Sequence, residues 1–593
     1  MFCLMKRIAV VERSRCNPVK CGDYLCIRLC PVNRTGHECI VKGEDKKIVI
    51  DEKLCTGCKI CEHRCPYDAI SVVNLPEKLK QEPIHRFGEN MFELFSLPVP
   101  KKDMILGILG RNGIGKSTAL GILAGELMPN LGEYTNPPSK QEIIKKYSNT
   151  LAGDYFKKLF SGELKVSFKP QRVELIPKKY SGVVGELIKK VDERLIGGEL
   201  LNEFELDELL DRNISELSGG ELQRFAIAAC LAKDADFYFF DEPMSFLDIT
   251  HRMKVAKLIK KFCEGKSVVV VEHDLTALDY ISDEVQIVYG EAGVYGIFSQ
   301  TKSVSRGINE YLDGYLSEDN IRFREHSIKF FDGLEGRDIY DEIALEFPGF
   351  EKSFDNFNLK TIGGSVRKGE VLGVIGANGL GKTTFLKILA GLIEPDSGEI
   401  GAVDISYKPQ YLDLNIEGTV EEVLKKEAGS LYDSGWYRQN ILEKLRLGKV
   451  MHNEVRTLSG GELQKVYIAL TLSKKADVYV MDEPSAFVDV EDRIKVAEII
   501  KEFIVKNEKC AIVVDHDIQF VDYLADNLLV FSGVSGENGF VEGGFEKREG
   551  MNKVLKMLDI TYRRDKTSHR PRINKSGSQL DREQRVRGEY YYG

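Results

Sequence analysis

Ten of the thirteen cysteines in this 593-residue chain fall within its first 65 positions. Four of them are written Cys55-Thr-Gly-Cys58-Lys-Ile-Cys61-Glu-His-Arg-Cys65-Pro66. Three thiolates two residues apart wrap one face of an iron–sulfur cubane, and a fourth beside proline is turned away to ligate a second one. An upstream partner run must therefore exist, and Cys16, Cys21, Cys26 and Cys30-Pro31 supply it with the same Cys-Pro ending. The expected pairing is crosswise, Cys55, Cys58 and Cys61 with Cys30, and Cys16, Cys21 and Cys26 with Cys65, giving two 4Fe-4S clusters. Zinc, the plainer alternative, usually reads as two separated CxxC pairs and leaves the repeated Cys-Pro unexplained. A disulfide framework needs an oxidising compartment, and no charged-then-apolar leader opens the sequence. Cys230, Cys263 and Cys510 read as buried thiols of the body, Cys3 and Cys39 as spare.

A second set of residues is suited to phosphate, and it occurs twice. Gly110-Arg-Asn112-Gly113-Ile-Gly115-Lys116-Ser117-Thr118 returns as Gly376-Ala-Asn378-Gly379-Leu-Gly381-Lys382-Thr383-Thr384. Leu217-Ser218-Gly219-Gly220-Glu221 returns as Leu458-Ser459-Gly460-Gly461-Glu462, and 23 residues after each serine stands Asp241-Glu242-Pro243 or Asp482-Glu483-Pro484. Glycine-loop amides and a helix N-terminus cradle phosphates, the lysine reaches the β and γ phosphates, and the hydroxyl of Ser117 or Thr383 binds Mg2+. Asp241 and Asp482 then belong on the metal, and Glu242 and Glu483 on the attacking water.

The elements that must position these residues are legible around them. Apolar runs at Met104–Leu109 and Val371–Ile375 read as buried strands feeding the glycine loops, and Phe237–Phe240 and Val478–Met481 as strands delivering the acidic pairs. The two copies differ in one place, since Lys116 to Gln171 is 55 residues and Lys382 to Gln410 is 28. The extra stretch, about 138–165, reads as a helix-loop-helix with a capping box at Ser139 and Lys140, Lys145, Lys146, Lys157 and Lys158 facing out. A basic contact surface and a solvated decoration are both open readings of it. Residues 1–80 and 561–593 each carry a net charge of +5 and the body between them −19, which suits ends that touch a polyanion. No run of 18 apolar residues occurs, which excludes a helical membrane span.

Leu-Ser-Gly-Gly-Glu is the signature of ATP-binding-cassette proteins, which both halves resemble. The resemblance implies an α/β fold of two tandem P-loop cassettes in head-to-tail arrangement behind a small α+β ferredoxin-like domain, with each ATP sandwiched between the halves. Site one would join Lys116, Ser117, Gln171, Asp241, Glu242 and His273 to Ser459, Gly461, Glu462 and Asp489. Site two would join Lys382, Thr383, Gln410, Asp482, Glu483 and His516 to Ser218, Gly220, Glu221 and Asp248, with Gln171 and Gln410 also on Mg2+. The loops Met244-Ser-Phe-Leu-Asp248 and Ser485-Ala-Phe-Val-Asp489 depart from the family's Ser-Ser-Tyr-Leu-Asp, which puts its hydroxyl contacts in doubt. Adenine is expected to stack on Phe87 or Phe92 in the first copy and on Phe347 or Phe350 in the second.

The whole chain resembles cassette subfamily E, the RNase L inhibitor family of archaeal and eukaryotic ribosome-recycling ATPases. The likeness is carried by Ile70–Pro76, Ile84-His85-Arg86, Tyr289-Gly-Glu291 and the tail Tyr562–Lys575. One departure is the four residues between Cys21 and Cys26, where the family has three; a small bulge near Gly22-Asp23 is implied. The organisation expected is 1–80 cluster domain, 81–305 first cassette, 306–340 hinge, 341–549 second cassette and 550–593 basic hinge segment. The family implies a cytoplasmic, monomeric ATPase with intramolecular cassette pairing that splits ribosomes after termination or stalling. Its partners would be the small ribosomal subunit and its RNA, a release-factor or rescue-factor homologue and initiation factors. The rival reading is an ATP-driven iron–sulfur electron-transfer enzyme, which has no need of a basic insert or tail.

Overall fold

The computed structural model describes residues 7–75, 82–98, 101–330, 340–401, 403–413, 416–566 and 568–591. Cys3 lies outside them. The chain divides into two compact units, Met1–Ser245, Lys257–His273 and Ile281–Glu325 in one, and Phe246–Ala256, Asp274–Tyr280 and His326–Gly593 in the other.

The first unit begins with the cysteine-rich segment. Arg7–Val11 pairs antiparallel with Ile70–Asn74, and Ile40–Lys42 with Ile48–Ile50. Three helices of four or five residues, Leu25–Leu29, Pro31–Arg34 and Ile60–Arg64, complete it. Its core is Ala9, Val11, Ile40, Ile48, Ile50, Ile70 and Val72 together with cysteines, too few apolar side chains to hold the segment unaided. The implied bulge is realised, because Gly22, Asp23 and Tyr24 take φ of 84°, 58° and 55° in succession.

Behind it lies a nine-stranded sheet whose parallel centre runs Val166–Lys169, Phe237–Asp241, Ser267–Val271, Ile105–Leu109 and Glu284–Glu291. The second unit repeats that order in eight strands, with Ile405–Lys408, Val478–Asp482, Cys510–Val514, Val371–Ile375 and Asn527–Val534 at its centre. Both glycine-loop strands are buried at every position, as a sheet covered on two faces requires. Ligands of such sheets bind beyond the carboxyl ends of the strands, where the glycine loops and the Asp-Glu pairs fall. The insert forms Lys140–Lys146, started by the Ser139–Glu142 capping box, and Leu151–Ser161. Ile143, Tyr155 and Phe156 bury its inner side, and all five of its outward lysines are exposed. Among the described residues no helix is long and apolar enough to cross a membrane.

Candidate functional site

Each glycine loop turns through left-handed backbone at two glycines, Gly113 and Gly115 with φ of 72° and 93°, and Gly379 and Gly381 with 75° and 87°. The helices that follow, Lys116–Leu123 and Lys382–Leu389, have no side-chain cap, so their first amides point into the loop as an anion cradle. Lys116 Nζ donates to the carbonyls of Gly110 (2.8 Å) and Arg111 (2.7 Å), and Lys382 Nζ to those of Gly376 (3.0 Å) and Ala377 (2.6 Å). Burial pulls the Lys382 ammonium down to about 8 against the opposing pull of Asp248, Glu483 and Asp482.

The expected metal ligands meet in both units. Ser117 is hydrogen-bonded to Asp241, and Thr383 Oγ1 donates to Asp482 Oδ2 at 2.7 Å. Burial holds both carboxyls above their ordinary range, a cost that a divalent cation at that oxygen pair would reverse. One residue on, Glu242 and Glu483 stand at φ of 47° and 49°, strained backbone of the kind that clusters at functional sites. Gln171 Nε2 donates to Glu242 Oε1 at 2.6 Å and Gln410 Nε2 to Glu483 Oε1 at 2.7 Å. His273 Nε2 lies 3.6 Å and His516 Nε2 3.2 Å from the same oxygens. Burial raises the Glu483 carboxyl, but the His516 hydrogen bond and the charges of His516, Lys382 and Arg252 outweigh it and bring it to about 2. It is ionised at neutral pH and able to accept a hydrogen bond from water.

Ser218 and Ser459 start the 14-residue helices Gly219–Ala232 and Gly460–Ser473. Their capping boxes with Glu221 and Glu462 are complete, and Gly220 and Gly461 lie in the first turns. A Cβ on Gly461 would stand 2.8 Å from the carbonyl oxygen of Phe487, which explains the glycine there. Asp489 caps the helix Val490–Lys506 through the Asp492 amide at 3.0 Å. Asp248 reaches the second glycine loop, its Oδ2 accepting from the Asn378 amide at 2.7 Å and its Oδ1 from the His251 amide at 2.8 Å. Both loops that lack the family's tyrosine keep an aromatic at that position, and Phe246 and Phe487 meet edge to face at 5.9 Å.

Two expectations are corrected. Phe347 and Phe350 are core residues packed on Phe385 at 5.7 and 5.8 Å, with no face left for adenine. The residue that matches Phe92 is Phe357. A Cβ on Gly115 would stand 2.7 Å from the Phe92 ring, and one on Gly381 2.9 Å from the Phe357 ring, so each phenylalanine lies against a phosphate loop. The repeated Phe-x-Leu, Phe92-Glu-Leu94 and Phe357-Asn-Leu359, is the signal that would have found it. Phe87 is exposed, 6.4 Å from Phe92. The basic tail is the second correction. Arg570 is fully buried and, with Arg572, pairs with Asp279; Arg564 bonds Tyr591 and Asp522; Arg585 pairs with Asp581 and Asp559. Among the described residues of 561–593, the lysines and arginines left exposed are Arg563, Lys566, Lys575, Arg582 and Arg587.

Sequence reasoning also missed Lys169 and Lys408, buried lysines whose ammonium groups bond the backbone at the Asp-Glu pairs; the repeated Lys-Pro-Gln was the available sign.

The thiols of the head gather close to one another. Cys26 lies near enough to interact with Cys16, Cys21 and Cys65, and Cys55 with Cys58 and Cys30, while Cys61 neighbours Cys55 and Cys58 and also Cys26 of the other run. All are free thiols. Burial pushes Cys26 and Cys61 up to about 12, so their thiolates need a neighbouring positive charge, which iron supplies. Backbone amides of Gly57 and Ala69 point at the sulfurs of Cys55 and Cys65, both at 3.4 Å, as around thiolate ligands. Among the described residues no three His, Cys, Asp or Glu side chains converge tightly enough for one ion. A cubane, four metal atoms across, takes its thiolates at wider spacing. The residues fit two clusters. Cys39, buried beside Cys30 and Cys55, is a ninth thiol among the described residues of the head.

Two P-loop cassettes with complete signature helices behind a paired thiol head define a tandem ATP-binding-cassette ATPase with an iron–sulfur domain. The comparisons agree. The ABC transporter family model matches residues 96–245 and 359–486, the 4Fe-4S binding domain matches 48–71, and the possible Fer4-like domain in RNase L inhibitor matches 7–38. An uncharacterized ABC transporter ATP-binding protein of Methanocaldococcus jannaschii is 48% identical over 99% of this chain and 97% of its own length. Translation initiation factor RLI1 of Chaetomium thermophilum is 42% identical over 99% and 97%. An archaeal ABCE1, from a model of ribosome-bound Pelota and ABCE1, superposes with a TM-score of 0.93 at 50% identity, covering 99% of both chains. The chain belongs to the RNase L inhibitor family, subfamily E of the ATP-binding-cassette proteins. It is therefore an ATPase that binds 4Fe-4S clusters, ATP and Mg2+.

Proposed function

We propose that this chain is an ATP-driven ribosome recycling factor, which splits ribosomes into subunits in the cytoplasm and then stays on the small subunit. The observation that carries the proposal is the likeness over 99% of both chains to an ABCE1 described on a ribosome together with Pelota. A release-factor or rescue-factor homologue is the partner this assigns, initiation factors are later ones, and the chain works as a monomer whose two cassettes pair with each other.

In the proposed mechanism, glycine-loop amides and Lys116 or Lys382 hold the phosphates, and Ser117 with Asp241 or Thr383 with Asp482 hold Mg2+. Gln171 and Gln410, whose amides bond Glu242 and Glu483, would help hold Mg2+. Glu242 and Glu483 orient the attacking water, and His273 and His516 face the γ-phosphate side. Phe92 and Phe357 offer faces to adenine. Ser218, Gly220 and Glu221, and Ser459, Gly461 and Glu462, present their helix N-termini to the nucleotide of the opposite cassette. Moving a two-state hinge from 1:99 to 99:1 takes about 5.5 kcal/mol of differential binding, within reach of two clamped nucleotides. When bound, the clusters supply cross-links that make the head rigid. The chain's part is to keep Cys16, Cys21, Cys26 and Cys65, and Cys30, Cys55, Cys58 and Cys61, in two quartets. The exposed lysines of the insert, with Arg563, Lys575, Arg582 and Arg587, would meet RNA phosphates. The segments take the roles of cluster domain (1–80), first cassette (81–305), hinge (306–340), second cassette (341–549) and tail (550–593).

The test is co-sedimentation. Glu242→Gln/Glu483→Gln protein with ATP should travel with small subunits and detach steeply as salt rises. Absence from the small-subunit fraction, or binding indifferent to salt, would count against the proposal.

A further inference from the structure

Lys169 and Lys408 end the strands Val166–Lys169 and Ile405–Lys408, and they are 1% and 0% exposed. Neither is accounted for by nucleotide contact, because each points under the neighbouring strand. Register places Lys169 beside Phe240 and Lys408 beside Met481, one residue short of the metal-binding aspartates. Lys169 Nζ donates to the carbonyls of Asp241 (2.9 Å) and Glu242 (3.1 Å). Lys408 Nζ donates to the carbonyls of Asp482 (2.8 Å) and Pro409 (3.1 Å).

The same turns are held from other sides. Gln223 Nε2 donates to the Glu242 carbonyl at 2.8 Å, and Gln464 Nε2 to that of Glu483. Glu272 accepts from the amides of Met244 (3.1 Å) and His273 (2.8 Å), and Asp515 from those of Ser485 (3.0 Å) and Asp517 (2.9 Å). A glutamate held in left-handed backbone is strained and persists only where its surroundings over-determine it. Burying an ammonium carries a large desolvation penalty, and a sheet that needed only filling would do better with an apolar side chain. Yet both copies bury a lysine at this place, although they differ by an insert of about 27 residues elsewhere.

We propose that Lys169 and Lys408 are positioning residues for ATP hydrolysis, which fix the Asp-Glu turn from below and so set where the Glu242 and Glu483 carboxylates point. The inference rests on the proposed role of those glutamates. Lys169 and Lys408 also join the strand leading to Gln171 or Gln410 to the strand carrying the glutamate, which keeps the two ends of each Gln–Glu hydrogen bond in register.

The test uses full-length, cluster-loaded protein with Glu242→Gln, so that hydrolysis reports site two. Lys408→Met in that background should lower single-turnover ATP hydrolysis about 10- to 100-fold, the scale of a misplaced catalytic group, while ATP affinity stays within about threefold. Lys408→Gln, which keeps a donor toward the Asp482 carbonyl, should recover part of the loss. Hydrolysis within about threefold of the parent, or hydrolysis and affinity falling together, overturns the inference. If Lys408→Met does not fold, Lys408→Gln decides alone: about tenfold slower hydrolysis at unchanged affinity supports the inference, and unchanged hydrolysis overturns it. Glu483→Gln run in parallel separates the two failures. Full hydrolysis in that variant sinks the role of the glutamate, whereas lost hydrolysis there with none lost in Lys408→Met sinks only the lysine.

Discussion

Asp279→Asn should destabilise the second unit by an amount that ordinary surface substitutions never reach. Asp279 accepts from Arg570 Nη2 at 3.1 Å and from Arg572 Nε and Nη2 at 2.9 and 3.0 Å, the last two a bidentate pair. Arg570 is fully buried, and its guanidinium lies near enough to Arg572 to be repelled by it. Asparagine keeps the shape and removes the charge, so two guanidinium groups are left facing each other with one remaining carboxylate, Asp565, at 3.3 Å from Arg572. Stranding a buried ion in this way costs about 3–5 kcal/mol. For a unit of this size that is a fall in melting temperature of roughly 5 to 8 °C. Differential scanning calorimetry of full-length protein reads it, with Arg582→Ala/Arg587→Ala as the contrast. Those two arginines are exposed, and losing them should move the transition by less than about 0.5 kcal/mol. A shift below about 2 °C for Asp279→Asn would refute the reasoning, since the tail's inner arginines would then be as dispensable as its outer ones.

Three further outcomes are expected. Gly461→Ala forces a Cβ to within 2.8 Å of the Phe487 carbonyl, backbone that must shift to admit it, so the melting temperature should fall and ATP-driven closure should be impaired in a nucleotide-trapping assay. His516→Ala removes the hydrogen bond and charge that most oppose burial at Glu483, so its carboxyl would rise from about 2, held down only by Lys382 and Arg252. Residual site-two hydrolysis should then climb with pH through the weakly acid range, where the parent is flat. The sign for stability agrees, because a depressed carboxyl contributes fully above pH 4.5 and loses its contribution as pH falls toward about 2. Iron analysis should give about eight atoms per chain, about four after Cys58→Ser and about eight after Cys39→Ala, with ATP binding intact in both variants.

Phosphate chemistry was legible because it demands particular residue types at particular spacings. Lys116, Asp241 and Glu242 have no substitutes in their roles, and the second copy repeats every one of them as Lys382, Asp482 and Glu483. The bulge after Cys21 was legible for a similar reason, since one extra residue between ligands must be absorbed locally, and three left-handed residues absorb it. Aromatic stacking makes no such demand. Phe347, Phe350 and Phe357 are alike in sequence, and only the packing of the first two on Phe385 separates core from site. Charge counts failed in the tail because a count cannot see partners, and Asp279 lies 291 residues from Arg570. For the same reason no linear boundary could assign Phe246–Ala256 and Asp274–Tyr280 to the second unit. Lys169 and Lys408 escaped notice because a lysine reads as surface until its burial is known.

The most direct test of the central claim is a sucrose-gradient assay of intact ribosomes incubated with the protein, a release-factor homologue and ATP. The account predicts conversion of ribosomes to free subunits with all three present, and none when ATP is omitted or when Cys58→Ser protein is used. Ribosomes that stay whole under every combination would contradict it.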